Sequence, residues 1–183
     1  MNAVQKHRGP DGQGVYESLD EQVALGHVRL SILDLSDAAG QPMRSPCDRY
    51  ILSYNGEIYN FPALKQQLES EGIRFRSSGD TEVLMQGLVR HGEGFIPTLN
   101  GMFAFAFWDR SEKRLLVARD RMGIKPLYYS QLSDGSLILA SEMKAFLKHP
   151  PTFPAIPISP RFPSIWRFAM QVVIEPRSRV SGD

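Results

Sequence analysis

Several short stretches carry side chains suited to recognising a small charged molecule. Arg29 opens the run Arg29-Leu30-Ser31-Ile32-Leu33 at the end of an apolar segment. A guanidinium there is either a solvated strand end or a planar fork for a carboxylate. Tyr54-Asn55-Gly56-Glu57-Ile58-Tyr59-Asn60 sets a side-chain amide beside an unobstructed glycine N–H. Two adjacent donors can stabilise an oxyanion. The same Asn-Gly between two β-like runs is also a strong signal for a type I′ hairpin turn. Ser78-Gly79-Asp80-Thr81-Glu82 places a carboxylate at the start of a helical pattern. It reads as an N-cap or as a partner for a ligand ammonium. Turn chemistry alone explains His7-Arg8-Gly9-Pro10-Asp11-Gly12. Arg119-Asp120-Arg121-Met122-Gly123-Ile124-Lys125-Pro126-Leu127-Tyr128-Tyr129 reads as a loop holding its own ion pair.

Elements must hold these groups in place. A helix is expected from Asn60 as N-cap, with Pro62 in its first turn, Leu64 and Leu68 one turn apart, and Gly72 as the stop. A second is expected from Asp80 as cap, with Leu84/Leu88 and Met85/Val89 one turn apart and Gly92 after it. Strands are expected over 22–29, 50–54, 102–108, 114–118, 127–131 and 136–140. In 102–108, Phe103, Phe105 and Phe107 share one face, while Met102, Ala104, Ala106 and Trp108 share the other. A strand apolar on both faces belongs in a covered sheet. The short link 109–113 predicts antiparallel pairing. Strands, short hairpins and two helices give an α+β class.

The 183 residues suffice for one domain with a tail. An apolar share of 42% and a charged share of 22% exclude a disordered or collagen-like chain. The net charge of +1 offers no field for nucleic acid or an anionic membrane, so neither is expected as a partner. The lone Cys47 excludes an internal disulfide framework. The histidines His7, His27, His91 and His149 lack metal-ligand spacing, so no metal is expected. Met1 to Arg8 has no apolar core of a secretory signal, and no run of about 18 apolar residues occurs, so a cytoplasmic location is expected. Six of the 13 prolines fall in 150–163. The expected division is therefore a body over 1–148 and a tail over 149–183. In that tail 149–163 is extended, 164–175 forms one short element, and 176–183 is disordered.

Taken in order, HRGPD, RLSI, YNGEIYN, SGDTEV, LNGMFAFAFWD, RDRMGIKPLYY and ASEMKAF resemble the class II glutamine amidotransferase domain of glutamine-hydrolysing asparagine synthetase. The resemblance spans about residues 7–148, and the Asn-Gly-Glu favours the asparagine synthetase branch. It implies the N-terminal-nucleophile (Ntn) hydrolase fold, with two antiparallel sheets between helices. It also implies hydrolysis of glutamine to glutamate and ammonia, with ammonia passed to an ATP-dependent domain that amidates aspartate. By the family pattern, Arg29 takes the α-carboxylate of glutamine. Asp80 and Glu57 take the α-ammonium. The Asn55 side chain and the Gly56 N–H form the oxyanion hole. The main chain of Leu30, Ser31, Ile32 and Leu33 lines the site.

The chain departs from the family pattern at both ends. The family's nucleophile is a cysteine at the mature N-terminus, activated by its own α-amine. Here Met1-Asn2-Ala3 leads within six residues to His7, so the Cys-bearing strand is expected to be missing and the chain inactive as given. Cys47, between Pro46 and Asp48, has no adjacent base and is not expected to replace it. A missing strand would leave an open edge, which a second copy could pair with as a homo-oligomer. The Ser-Gly-Gly-x-Asp-Ser loop of the synthetase domain does not occur, so ATP and Mg are expected only in a separate synthetase domain, itself an expected partner. The alternative reading is a non-catalytic module of this fold with a binding or scaffolding role.

Overall fold

A strand with apolar residues on both faces sits mid-sheet, and β5 (Gly101–Asp109) does so. The computed structural model describes residues 2–5, 7, 9, 11–18, 23–29, 40–132, 136–148, 156–157 and 170–174, the last two stretches as backbone. Before β5 come helix α1 (Asn2–Gln5), β1 (Gly12–Ser18), β2 (Val23–Arg29), β3 (Met43–Arg44), β4 (Tyr50–Ile58), α2 (Phe61–Ser70) and α3 (Asp80–His91). After it come β6 (Arg114–Arg119), β7 (Tyr128–Gln131), β8 (Leu137–Ala140), β9 (Ile156–Pro157) and β10 (Met170–Ile174). The central sheet has the order β10-β6-β5-β4-β3, antiparallel throughout.

The period of two along β5 sorts the core into layers. Phe103, Phe105 and Phe107 pack with Leu64 and Leu68 of α2 and with Val83, Leu84 and Leu88 of α3. Burying each phenylalanine from water contributes about 2–3 kcal/mol before entropy. On the opposite face, Trp108 and Ile51 meet Tyr16 of β1 and Leu25 of β2. Ala104 and Val117 meet Leu127, Tyr129 and Leu139 around the β7–β8 hairpin. A second β layer, built from β1–β2 and from β8-β7-β9, therefore covers the central sheet. Outside it lie α1, whose Asn2 amide bonds the carbonyls of Gly14 and His27, and the 3-10 turn Met143–Lys148, whose Phe146 packs on Ile138. The α+β sandwich follows the expectation, as do both helices and the β5–β6 hairpin.

Four expectations change. Asn55-Gly56 is not a hairpin turn, because β4 runs unbroken through both residues and pairs with β5 from Tyr50↔Asp109 to Ile58↔Gly101. A Cβ on Gly56 would lie 2.3 Å from the Met102 carbonyl oxygen and 2.7 Å from Phe103 Cα, so this glycine serves close strand approach, not turning. Asp80 is the first residue of α3 rather than its cap, and Gly79 occupies the cap position. Asn60 makes no side-chain cap bond, because its amide instead ties Thr98 O and Asn100 N at 2.9 Å each. Finally, β1 was not expected, since Gly12 and Gly14 dilute its alternation. Within the expected tail, Met170–Ile174 pairs with β6 and covers its outer edge. The expected disordered 176–183 lies outside the described residues.

Candidate glutamine site

The free edge of β4 builds the site. Over Ile51–Leu52 that edge pairs with β3. Beyond it, side chains replace the ladder. Gln41 Oε1 accepts the Tyr54 N–H at 2.6 Å, and Asp80 Oδ2 accepts the Ile58 N–H at 2.9 Å. Alternate N–H groups of a strand share an edge, which puts the Gly56 N–H between these two. The neighbouring strand agrees. Phe103, opposite Gly56, exchanges both its main-chain bonds with Asp120, on the side away from β4. Gly56 and Phe103 are thus a non-hydrogen-bonded pair, with the Gly56 N–H directed away from β5.

Asp80 is buried at this edge. Its Oδ2 also accepts the Tyr54 hydroxyl at 2.6 Å. Burial, then the charge of Asp80 and more weakly that of Glu57, pushes the Tyr54 pKa upward, so Tyr54 stays a neutral donor. Tyr54 and Ile58 therefore bracket Asn55, Gly56 and Glu57, and Asp80 clamps both ends of the triplet. Two carboxylates, Asp80 and Glu57, share the neighbourhood of one tyrosine. Glu82 has a different role: Arg76 N, Ser77 N and Ser77 Oγ all donate to it, closing the loop before α3.

Arg29 ends β2, which crosses the face of β4. Ser53 Oγ donates to Gly26 O at 3.1 Å. Leu25, His27 and Arg29 alternate onto the face that meets β4, where Leu25 joins the Ile51–Trp108 cluster. The first motif anchors this strand end. Asp11 N donates to Arg29 O at 3.1 Å. A Cβ on Gly9 would fall 2.4 Å from Val28 C and 2.5 Å from Arg29 N, so only glycine lets the HRGPD turn lie on the Arg29 backbone. His7 Nε2 meets Glu142 Oε1 at 3.2 Å, which joins that turn to ASEMKAF.

The structure thus brings Asn55, Gly56, Glu57 and Asp80 to one strand end and delivers β2, with Arg29, across it. Leu30, Ser31, Ile32 and Leu33 lie outside the described residues. A cleft of about 140 Å³ lies beside this end, lined by Leu99, Asn100, Gly101, Phe103, Asp120, Arg121 and Met122, and by none of the four expected ligand groups. Sequence reasoning missed Gln41 and Tyr54 as supports. Cys47 is exposed in the turn between β3 and β4. A hydrogen bond with Ser45 Oγ, first among several, lowers its thiol pKa. Among the described residues no cluster of three His, Cys, Asp or Glu is placed to hold a metal ion, and no helix is long and apolar enough to cross a membrane.

Comparison with known proteins identifies the family. Residues 1–162 match the glutamine amidotransferase domain family. The chain is 42% identical over 147 residues to asparagine synthetase [glutamine-hydrolyzing] 1 of Bacillus subtilis, covering 80% of this chain and 23% of that protein. It is 39% identical to asparagine synthetase B of Escherichia coli, covering 80% and 26%. Amidase chry2 of Gibberella zeae is 42% identical, covering 77% and 21%. The chain therefore spans about a quarter of the length of the curated relatives it matches. Among solved structures, the glutamine phosphoribosylpyrophosphate amidotransferase of B. subtilis superposes with a TM-score of 0.59 at 33% identity, covering 68% of this chain and 29% of that one. The chain belongs to the class II glutamine amidotransferase family, with the Ntn-type α+β sandwich.

Proposed function

We propose that this domain binds free L-glutamine at the β4 edge. Arg29 receives the α-carboxylate as a planar fork. Asp80 and Glu57 receive the α-ammonium. The Asn55 amide and the Gly56 N–H receive the amide oxygen and, in hydrolysis, the tetrahedral oxyanion, where one donor is worth about 3 kcal/mol of barrier. The main chain of Leu30 to Leu33 completes the lining. The observation that carries this reading is the clamp of Asp80 on Tyr54 and Ile58, which sets a buried carboxylate one residue from each end of Asn55-Gly56-Glu57.

In a longer protein of this family the ammonia passes to an ATP- and Mg-using synthetase domain that amidates aspartate. The nucleophile is not Cys47. The Ser45–Tyr50 turn lies at the opposite end of β4 from Asn55. Five residues at about 3.3 Å each separate Tyr50 from Asn55 by roughly 16 Å.

Calorimetric titration with L-glutamine, paired with an ammonia-release assay, tests this. One bound glutamine, weakened by Arg29→Lys and Asp80→Asn, with any ammonia release unchanged by Cys47→Ala, is the expected result. Ammonia release abolished by Cys47→Ala would overturn the account of the nucleophile. A folded chain that ignores glutamine would assign it to scaffolding instead.

A further inference from the structure

Gln41 sits where the β3–β4 ladder stops. That ladder pairs Arg44 with Ile51 and Met43 with Leu52. Continued in the same register, it would set Gln41 opposite Tyr54 and then spend the Gly56 N–H on main chain as well. Strand β3 instead begins at Met43. The Gln41 main chain lies against β1, where a Cβ on Gly14 would fall 2.1 Å from the Gln41 carbonyl oxygen and 3.2 Å from Pro42 Cδ. Its side chain supplies the acceptor that the ladder would have given: Gln41 Oε1 receives the Tyr54 N–H at 2.6 Å. One residue thus touches both halves of the site. Gly14 pairs with His27, two residues before Arg29. Tyr54 is followed by Asn55 and Gly56. We propose that Gln41 is a positioning residue. Its side-chain amide ends the ladder so that the next N–H on that edge, at Gly56, is left for a ligand, and its main chain sets the Arg29 hairpin against the Asn55–Gly56 donors. A glutamine must span both groups, so this inference rests on the glutamine reading for its purpose.

Two features separate this role from edge packing. The first is the kind of acceptor. A longer β3 would satisfy the Tyr54 N–H with no side chain at all. A side-chain oxygen satisfies that one donor and goes no further. Asp80 repeats the device at the other end, where its Oδ2 accepts the Ile58 N–H at 2.9 Å. The alternating donors Tyr54, Gly56 and Ile58 are therefore bounded at both ends by side-chain oxygens, with Gly56 between them. The second feature is the Gly14 contact. Any side chain at Gly14 would push on the Gln41 carbonyl, so the fit fixes where the β1–β2 hairpin stands relative to the residue that holds Tyr54.

The test compares Gln41→Met, which keeps the side-chain length and removes the acceptor, with Gln41→Glu, which keeps an oxygen at the same reach. The charge added by glutamate is remote from Asp80, because Tyr54 and Ile58 stand roughly 13 Å apart along the strand. Without ligand, amide hydrogen exchange at Tyr54 should quicken about 10-fold or more in Gln41→Met, while Leu52 and Ile58 on the same edge stay protected. With ligand, misplacing the site groups by a fraction of an ångström should raise the L-glutamine Kd about 10-fold in the folded variant. Gln41→Glu should recover most of both losses. A Gln41→Met chain with unchanged exchange at Tyr54, with protection lost evenly along β4, or with wild-type affinity would overturn the proposal. So would a Gln41→Met chain that fails to fold, or a Gln41→Glu chain as impaired as the methionine variant. If the wild type binds no glutamine, the glutamine reading fails alone, and exchange at Tyr54 against Leu52 and Ile58 still decides whether Gln41 ends the ladder.

Discussion

Two buried aspartates, Asp80 and Asp120, both end strand hydrogen bonding, yet they do different things. Asp120 uses both oxygens on main chain. Its Oδ2 accepts Phe103 N and Lys125 N, and its Oδ1 accepts Ile124 N. Arg119 closes the same loop by donating to Lys125 O at 2.6 Å and to Gly123 O. That region is a knot that fastens the 120–125 loop to β5. Among the described residues, the bonds to the Asp80 side chain, from the Tyr54 hydroxyl and the Ile58 N–H, both fall on Oδ2. The carboxylate is held in place without being wrapped. The contrast shows how one residue type serves either as a structural plug or as a held charge, depending on how many N–H groups surround it.

Breaking the plug should cost the most. Asp120→Ala strands one buried and two part-buried N–H groups, and a loss of about 3 kcal/mol is expected. Chemical denaturation would show the midpoint fall, with any glutamine binding lost only as the chain unfolds. Asp80→Asn should act the other way. The amide oxygen still accepts from Tyr54 and Ile58, so stability should drop by only about 1 kcal/mol. Glutamine affinity should fall by roughly 100-fold, since the ammonium loses a desolvated charge partner.

Acid should separate the two regions next. The folded-state pKa of His27 lies near 4, below its unfolded value of 6.5. A group depressed in this way gives its full stabilisation above pH 6.5, and that stabilisation is lost as pH falls toward 4. Partial exposure of the ring tempers the effect to about 2 kcal/mol. Urea unfolding at pH 7 and pH 4.5 would reveal it, and the His27 share of the loss should vanish in His27→Gln. Arg29→Lys keeps the charge but not the fork, so glutamine Kd should rise about 10-fold with the melting temperature unchanged. The smallest effect is expected at Cys47→Ala: exposed and distant from the site, it should alter stability by less than about 0.5 kcal/mol.

Much of the scaffold was legible because one simple pattern dominates it. Phe103, Phe105 and Phe107 against Ala104, Ala106 and Trp108 required a sheet covered on both sides, and the structure has one. The helices were legible from Leu64/Leu68 and Leu84/Leu88. What misled was local chemistry that long-range contacts override. Asn55-Gly56 carries the strongest short turn signal in the chain, but β5 draws it straight, and the glycine is needed where Met102 O comes close. Asp80 looked like a cap because capping is the commonest use of aspartate at a helix start, and nothing nearby announces Tyr54, 26 residues away. Strand β1 hid behind two glycines. Gly14 faces Gln41 O so closely that a Cβ would lie 2.1 Å away, a constraint that no window of neighbouring residues contains. The residues Arg29, Asn55, Gly56, Glu57 and Asp80 came from ordered motifs. Their supports, Gln41 and Tyr54, come only from the folded chain.

The central claim is that Asp80 is a held charge for a ligand ammonium rather than a second structural plug. The most direct measurement is a calorimetric titration of L-glutamine into the folded chain and into Asp80→Asn, with circular dichroism confirming that both are folded. The account predicts one site in the first and a loss of about two orders of magnitude in the second at nearly equal stability. Equal affinity in the two proteins, or an Asp80→Asn chain that unfolds as Asp120→Ala does, would contradict it.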